Sequence, residues 1–311
     1  MMEAMFYVAN RLFGVHFKQV HDISKYHETV TGWEVTNAQG QHVGLFLSDN
    51  FARSTKRSGA WMSTYRDPMH LQTSVRPIVV NNNNFSSAPP GQPTLLSLDD
   101  AKTLFHEFGH GLHSLLSQCK YARLAGIHVL KDFVEFPSTF EEDWAAHPKV
   151  LANYAKHYET GKPIPDELLQ KLLKSGSFNQ GFDTLEYMAA ALVDMEWHSL
   201  SPDAPLQDVA TFEANALKKH GLNITAVPPR YKSTYFAHAF PGGYSASYYA
   251  YMWSEILAAD AFAYVQSQGG LKLENGQNYR KNILSVGNSR PPMESYKAFR
   301  GQEPTTDALL I

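Results

Sequence analysis

Two histidines and the glutamate between them carry the clearest chemistry in this chain. They stand as His106, Glu107 and His110 in Thr103-Leu-Phe-His-Glu-Phe-Gly-His-Gly-Leu-His113, an H-E-x-x-H pattern. On an α-helix, residues four apart lie about 400° round the axis and about 6 Å along it, so both imidazoles project from one face. Two ring nitrogens can then share one zinc ion. A catalytic zinc takes three protein ligands and keeps a fourth position for water, and the Glu beside the first His is the general base that acts on that water. Three fixed residues also occur on ordinary wet helix faces, so the context must decide.

The surrounding sequence predicts the helix that would hold them. Ser97 followed three residues later by Asp100 resembles a capping box, and Ala101, Leu104, Phe105, Phe108, Leu112, Leu115 and Leu116 recur at helical spacing as a core face. Counting about 100° per residue, His106 and His110 fall about 160° from Phe108, with Glu107 between them and the apolar stripe. Gly109 and Gly111 each cost such a helix about 1 kcal/mol relative to Ala. Their presence argues for close approach of another element or of substrate.

A two-His site lacks a ligand. Glu135, in Lys131-Asp-Phe-Val-Glu-Phe-Pro-Ser138, is the nearest acid in a promising setting, among large apolar residues where an ionised carboxylate needs a partner. Asp132, one turn earlier, fits two roles: orienting a ligand imidazole through its other nitrogen, or capping a helix. His113 shares a face with His110, but a fourth protein ligand would close the water position, so a hydrogen-bonding role near the site is expected. The remaining histidines, His128 and His220 among them, read as structural.

The chain has 311 residues, 43% hydrophobic and 18% charged, enough for one large domain or two smaller ones, and it reads as soluble and globular. A net charge of −3 gives no electrostatic case for nucleic acid or an anionic membrane. One cysteine, Cys119, excludes an intrachain disulfide framework and agrees with a reducing, cytoplasmic setting. No apolar run is long enough for a transmembrane helix, and the first ten residues lack the features of a signal peptide.

Along the chain, residues up to about Leu12 read as an amphipathic helix, and Gly32 to Thr36 with His42 to Leu47 read as a β-hairpin round a Gly-containing turn. Phe51 to Trp61 reads as a loop. Val75 to Val80 reads as a strand that Pro77 assigns to a sheet edge, and extended peptides bind such edges by adding a strand. Residues 86–93 are a loop. A helical region over Lys131 to Ala146 is expected to break at Pro137, its start left open between Asp132/Glu135 and Ser138/Glu141 capping pairs. Helices then follow over Val150 to Tyr158, Asp166 to Lys174, Phe182 to Leu200 and Val209 to His220, with proline-rich hinges between them.

Near the C-terminal end lies Tyr235-Phe-Ala-His-Ala-Phe-Pro-Gly-Gly-Tyr-Ser-Ala-Ser-Tyr-Tyr-Ala-Tyr251. Glycines before clustered tyrosines describe a loop that presents hydroxyl donors, since phenols stay protonated near neutral pH. A stripe of tyrosines at helical spacing is, equally, ordinary core.

Taken together, Phe105 to His110, Asp132 to Ser138 and this tyrosine block resemble the zinc metallopeptidases of the thimet oligopeptidase and bacterial peptidyl-dipeptidase family. Ala226-Val-Pro-Pro-Arg-Tyr231 and the Gly-Gly-Tyr block bring the chain nearest the bacterial peptidyl-dipeptidase branch. The likeness covers essentially the whole chain. It implies a mainly α, multi-helix zincin-type catalytic domain with a small β-sheet beside the zinc helix, residues 1–311 forming one partial catalytic region. It implies one Zn²⁺ on His106, His110 and Glu135, Glu107 as general base, and His238, Tyr244 and Tyr251 in contact with substrate or transition state, Tyr248 being a weaker candidate. Pro241 stands where relatives often carry Gly, so a stiffer loop is expected. Family members are about twice as long, which implies a fragment, an exposed groove in place of a channel, and weak turnover in isolation.

The leading reading is thus a zinc peptidase that releases C-terminal dipeptides from short peptides. An endo-acting oligopeptidase of the same family is the alternative within that chemistry, and a truncated, inactive zinc-stabilised peptide-binding module is the alternative outside it. Arg230 and Arg290 are the cations to test for a grip on a substrate carboxylate.

Overall fold

The helix around His106 begins where Ser97 and Asp100 place it. In the computed structural model, which describes residues 1–310, Ser97 Oγ accepts the Asp100 N–H at 3.0 Å and the Asp100 carboxylate accepts the Ser97 N–H at 3.0 Å. This reciprocal box satisfies two of the orphan donors at a helix start and fixes α2 as Leu98–Leu115. The chain forms two compact units, residues 1–165 with 254 onward, and residues 166–253.

In the first unit, α1 (Met2–Phe13) precedes a five-stranded sheet built from β1 (His16–Val20), β2 (Thr31–Thr36), β3 (His42–Phe51), β4 (Trp61–Arg66) and β7 (Ile78–Phe85); Met69–His70 and Ser74–Val75 pair apart from it as β5 and β6. The order is β1-β2-β3-β7-β4, with β7 parallel to β3 and all other pairs antiparallel. The expected hairpin is β2 and β3, paired Thr31 to Ser48 through Thr36 to His42. Phe6 of α1, Phe17 of β1, Phe46 of β3 and Phe108 of α2 meet in one aromatic core, from Phe6 stacked on Phe17 at 4.3 Å to Phe46 edge-on to Phe108 at 5.5 Å. Burial of these rings fixes α2 against the sheet.

The strand expected at an edge is interior. β7 lies between β3 and β4, and it starts at Ile78, so the missing N–H of Pro77 removes no ladder bond while its carbonyl accepts the Leu45 N–H at 3.0 Å. The strand also runs on through Asn81 to Asn84, against the low strand propensity of Asn. Side-chain amides make this tolerable: Asn83 donates to Asn50 Oδ1 at 3.0 Å, Asn82 to Trp61 O at 3.2 Å, and Asn84 to the carbonyls of Arg57 and Gly59 at 2.8 and 2.7 Å. The edge beside β7 is β4, which begins at the end of the expected loop.

The helix α3 (Lys131–Ala145) packs across α2 and carries Glu135. Its N-cap is Leu130 without a side-chain bond, so neither expected capping pair starts it, and Pro137 lies inside it without breaking it. The reason is on α2. A Cβ on Gly109 would stand 2.5 Å from Pro137 O and 2.6 Å from Ser138 Cα, so the two main chains touch and hold the proline turn in place. On α3, Phe140 stacks on Tyr279 at 4.4 Å and Trp144 meets Phe262 edge-on at 4.8 Å, anchoring the helix from another side. Gly109→Ala is expected to destabilise by about 1–3 kcal/mol, because backbone cannot yield as a side chain would. A Cβ on Gly111 would meet side chains alone, Asn81 Oδ1 at 3.3 Å, Val79 Cγ1 at 3.6 Å and Phe46 Cε2 at 3.7 Å. Gly111→Ala is expected to be neutral or to gain up to about 1 kcal/mol of helix propensity. Urea unfolding of the two variants side by side checks both.

After α4 (Pro148–Tyr154), shorter than its pattern, the second unit holds α5 (Asp166–Ser175), α6 (Gln180–His198) and α7 (Val209–Lys219), close to their expected spans. It continues through the 238–249 loop into α8 (Ala250–Ser267), whose residues from Ser254 onward return to the first unit. There the chain closes with α9 (Leu273–Tyr279), a π-helical turn and α10 (Pro292–Arg300).

Candidate metal centre

Helical spacing on α2 and the crossing of α3 bring His106, His110 and Glu135 to one point. Each imidazole Nε2 lies 3.1 Å from Glu135 Oε2, and the three groups offer donor atoms within 4.8 Å of one another. Ligand atoms about 2.0–2.1 Å from a tetrahedral ion stand about 3.3 Å apart, so these donors fit one metal with little adjustment. The backbone crossing at Gly109 is within one helical turn of all three. Ser138 Oγ, fully buried, sits 2.8 Å from the Glu135 carbonyl oxygen and 3.1 Å from Glu135 Oε2, which orients the carboxylate along its own helix.

The charges are set by burial against mutual attraction. Burial acts to raise the Glu135 carboxyl, but the imidazoles of His110 and His106 outweigh it and hold the group well below the usual carboxylate range. Burial acts to lower His106, yet carboxylates at both ring nitrogens raise it well above the usual histidine value. The second carboxylate is Glu142, whose Oε1 lies 2.6 Å from His106 Nδ1. Glu142 therefore takes the orienting role considered for Asp132, which sits in the first turn of α3. Asp132 is no cap either, since Leu130 holds that position. Sequence reasoning passed over Glu142, although it stands seven residues after Glu135, two turns along the same face. Glu142→Gln is expected to weaken metal affinity about 10–100-fold without abolishing binding, measured by competition with a chromogenic chelator.

Glu107 is 4% exposed, and burial pushes its carboxyl above the usual range. Its Oε2 has no hydrogen-bond partner among the described residues, which leaves it free to take a proton. His113 departs from its expected role. It is fully buried with both ring nitrogens unpartnered among the described residues, and burial, with His110 nearby, pushes it down to about 3. It is a neutral core imidazole.

The other candidates lie in the second unit. His238, Tyr244 and Tyr251 gather there, with ring centroids 6.2 Å apart for His238 and Tyr244, 6.0 Å for His238 and Tyr251, and 5.4 Å for Tyr244 and Tyr251. The turn is tight at Gly242, where a Cβ would stand 2.5 Å from Ala237 O. Tyr248 belongs to the core of this unit: its ring is 2% exposed, packs on Phe236 and Ala190, and burial raises its phenol. Arg230 is exposed beside Tyr231. Arg290, in the first unit, is committed to Ser295 Oγ at 3.0 Å and to the Asn282 carbonyl at 2.9 Å.

Known proteins share this sequence at length. The chain is 46% identical over 310 residues to a dipeptidyl carboxypeptidase of Salmonella typhimurium, covering all of this chain and 45% of that protein. It is 45% identical to the dipeptidyl carboxypeptidase of Escherichia coli, over 97% of this chain and 44% of that protein. It is 37% identical to the oligopeptidase A of Escherichia coli, over 99% of this chain and 46% of that protein. The chain thus spans a little under half the length of the curated relatives it matches. Residues 1–311 match, without interruption, the family described as Peptidase family M3, and the chain belongs to that family.

Proposed function

We propose that residues 1–311 constitute the catalytic region of a zinc peptidase that cleaves C-terminal dipeptides from short peptides. The observation that carries this reading is the convergence of His106, His110 and Glu135 on one point, with buried Glu107, whose Oε2 has no hydrogen-bond partner among the described residues, next to the first imidazole. Two imidazoles and a carboxylate are a donor set suited to zinc. When bound, zinc polarises a carbonyl oxygen and makes water more acidic.

Glu107 takes a proton from the water that attacks the scissile carbonyl and passes it to the leaving amine, so that one water is added across the peptide bond. Its raised carboxyl makes it a stronger base toward the water than a surface Glu, and the leaving amine, more basic than any carboxylate, then takes the proton from it as the C–N bond breaks. His106 is held in one orientation by Glu142 at its far nitrogen, and Glu135 by Ser138. His238, Tyr244 and Tyr251 are assigned as donors to the oxyanion or to substrate, a role supported by their clustering and by the family. β4, the edge strand beside β7, is the strand to which an extended peptide would add.

Relatives named dipeptidyl carboxypeptidase, at 46 and 45% identity, favour release of dipeptides over the internal cleavage suggested by the name oligopeptidase A at 37%. With one cysteine, Cys119, in the sequence, as a reducing compartment favours, we assign the activity to the cytoplasm; among the described residues no helix is long and apolar enough to cross a membrane. The test is digestion of a short unblocked peptide and its C-terminally amidated twin, with and without a chelator. Dipeptides from the unblocked peptide alone, lost on chelation, are expected. Internal cuts in both peptides would favour endo-action, and no chelator-sensitive cleavage would favour a binding module.

A further inference from the structure

On α6, Tyr187, Asp194 and His198 are separated by seven and four residues, so they share one helix face. All three turn toward the segment 238–252 of the same unit. Asp194 is fully buried, yet its carboxylate is devoted to that segment's main chain: Oδ1 accepts the Ala246 N–H at 3.0 Å and Oδ2 accepts the Tyr248 N–H at 3.0 Å. His198 Nδ1 lies 2.8 Å from both Asp194 Oδ1 and the Asp194 carbonyl oxygen, the latter its hydrogen-bond partner. Two turns back, the Tyr187 hydroxyl donates to the Tyr248 carbonyl and accepts the Met252 N–H at 3.2 Å. Four main-chain groups of the segment are thus held by two side chains of one helix.

The geometry is held against resistance. Ala246 has φ +54°, a left-handed conformation that L-residues other than Gly, Asn and Asp rarely adopt, and its N–H is the one Asp194 takes. A buried carboxylate is an expensive way to fill a core, and strain of this kind persists only where surroundings over-determine it. Elsewhere the loop is tied to itself, by the Tyr244 N–H on the His238 carbonyl at 3.0 Å and by Ser245 Oγ on the Ala239 carbonyl. The clamped stretch connects Tyr244 to Tyr251, two members of the three-ring cluster, and Tyr248 between them seats its ring in the core.

We infer that Asp194 and Tyr187 are positioning residues, which together hold segment 244–252 in the conformation that gathers His238, Tyr244 and Tyr251. That this cluster serves hydrolysis rests on the peptidase reading above; that the clamp sets its conformation does not.

The test compares the full chain with Asp194→Asn and Tyr187→Phe by amide hydrogen exchange and mass spectrometry. Asn at 194 leaves one of the two amides without an acceptor, so exchange across 244–252 is expected to rise at least about 10-fold. Segment 104–116, on the metal-binding helix, is expected to exchange as in the unmutated protein. Unchanged exchange over 244–252, or an equal rise in both segments, would overturn the clamp. Tyr187→Phe keeps its ring and decides the matter should Asp194→Asn fail to fold. In the zinc-loaded proteins, kcat and affinity for a peptide phosphinate, a tetrahedral mimic, are expected to fall in parallel by about 10-fold, with KM and metal content unchanged. Faster exchange with unchanged kcat would overturn the positioning role. If the unmutated protein cleaves no peptide, the peptidase reading fails and the exchange data still decide the clamp.

Discussion

Glu107→Gln is expected to leave metal content unchanged and to lower kcat about 10²–10⁴-fold, the range in which a general base contributes. The amide has the shape of the carboxyl but cannot take up a proton. Metal retention follows from geometry, since Glu107 is not among the three groups that offer donors to one point. Stability should be equal or higher. Burial pushes the Glu107 carboxyl up, so the ionised form is disfavoured in the fold, and a neutral amide removes that penalty at pH values above the ordinary carboxyl range. A lowered rate together with an undiminished Tm and one metal per chain is therefore the signature. It would be read by steady-state kinetics, thermal melting and elemental analysis on one preparation. An unaltered kcat would remove Glu107 from the mechanism.

Glu135→Ala is expected to reduce metal content to near zero after gel filtration and to abolish chelator-sensitive hydrolysis. Two imidazoles would remain, and the negative charge that balances the ion would be gone. The metal-free protein should suffer as well. Glu135 is 2% exposed and meets both His106 and His110 at 3.1 Å, and removing one partner of a buried ionic cluster costs on the order of 3 kcal/mol. The clearest measurement is Tm with and without added zinc, because a ligand that binds only the folded state raises Tm. The unmutated protein should respond and Glu135→Ala should not. Full metal occupancy in the variant would show that the third ligand is another residue.

How far the site can be read from sequence depends on whether the deciding contact is local. His106, Glu107 and His110 are fixed by helix geometry alone, and so is the start of their helix at Ser97. The destabilising Gly109 announced a close neighbour, which proved to be the backbone of α3. What sequence spacing cannot supply is the direction in which α3 crosses. Asp132, one turn before Glu135, and Glu142, two turns after it, both face the ligand side in projection, and only the crossing decides that Glu142 meets His106.

The strand β7 was hidden for a related reason. Asn81 to Asn84 carry little strand propensity, and the oxygens that accept from the side-chain amides of Asn82, Asn83 and Asn84 belong to Asn50, Arg57, Gly59 and Trp61, far away in sequence. Pro137 misled in the same way, because a proline's effect on an isolated helix was offset by a neighbour that pattern reading could not place. In the tyrosine block Tyr248 is core, as a stripe at helical spacing suggested, while Tyr244 and Tyr251 are half-buried near His238.

The contact between Gly109 and the Pro137–Ser138 peptide has a consequence for tolerance to change. Where main chain rests on main chain there is no rotamer to choose, so the gap between the two helices does not depend on which apolar side chains surround it. Aromatic rings elsewhere in the unit can be exchanged for others of similar volume while the donor atoms keep their separation. Tolerance is therefore lopsided: broad for apolar exchanges of similar volume, and narrow at Gly109, where the requirement is for the absence of a single carbon atom.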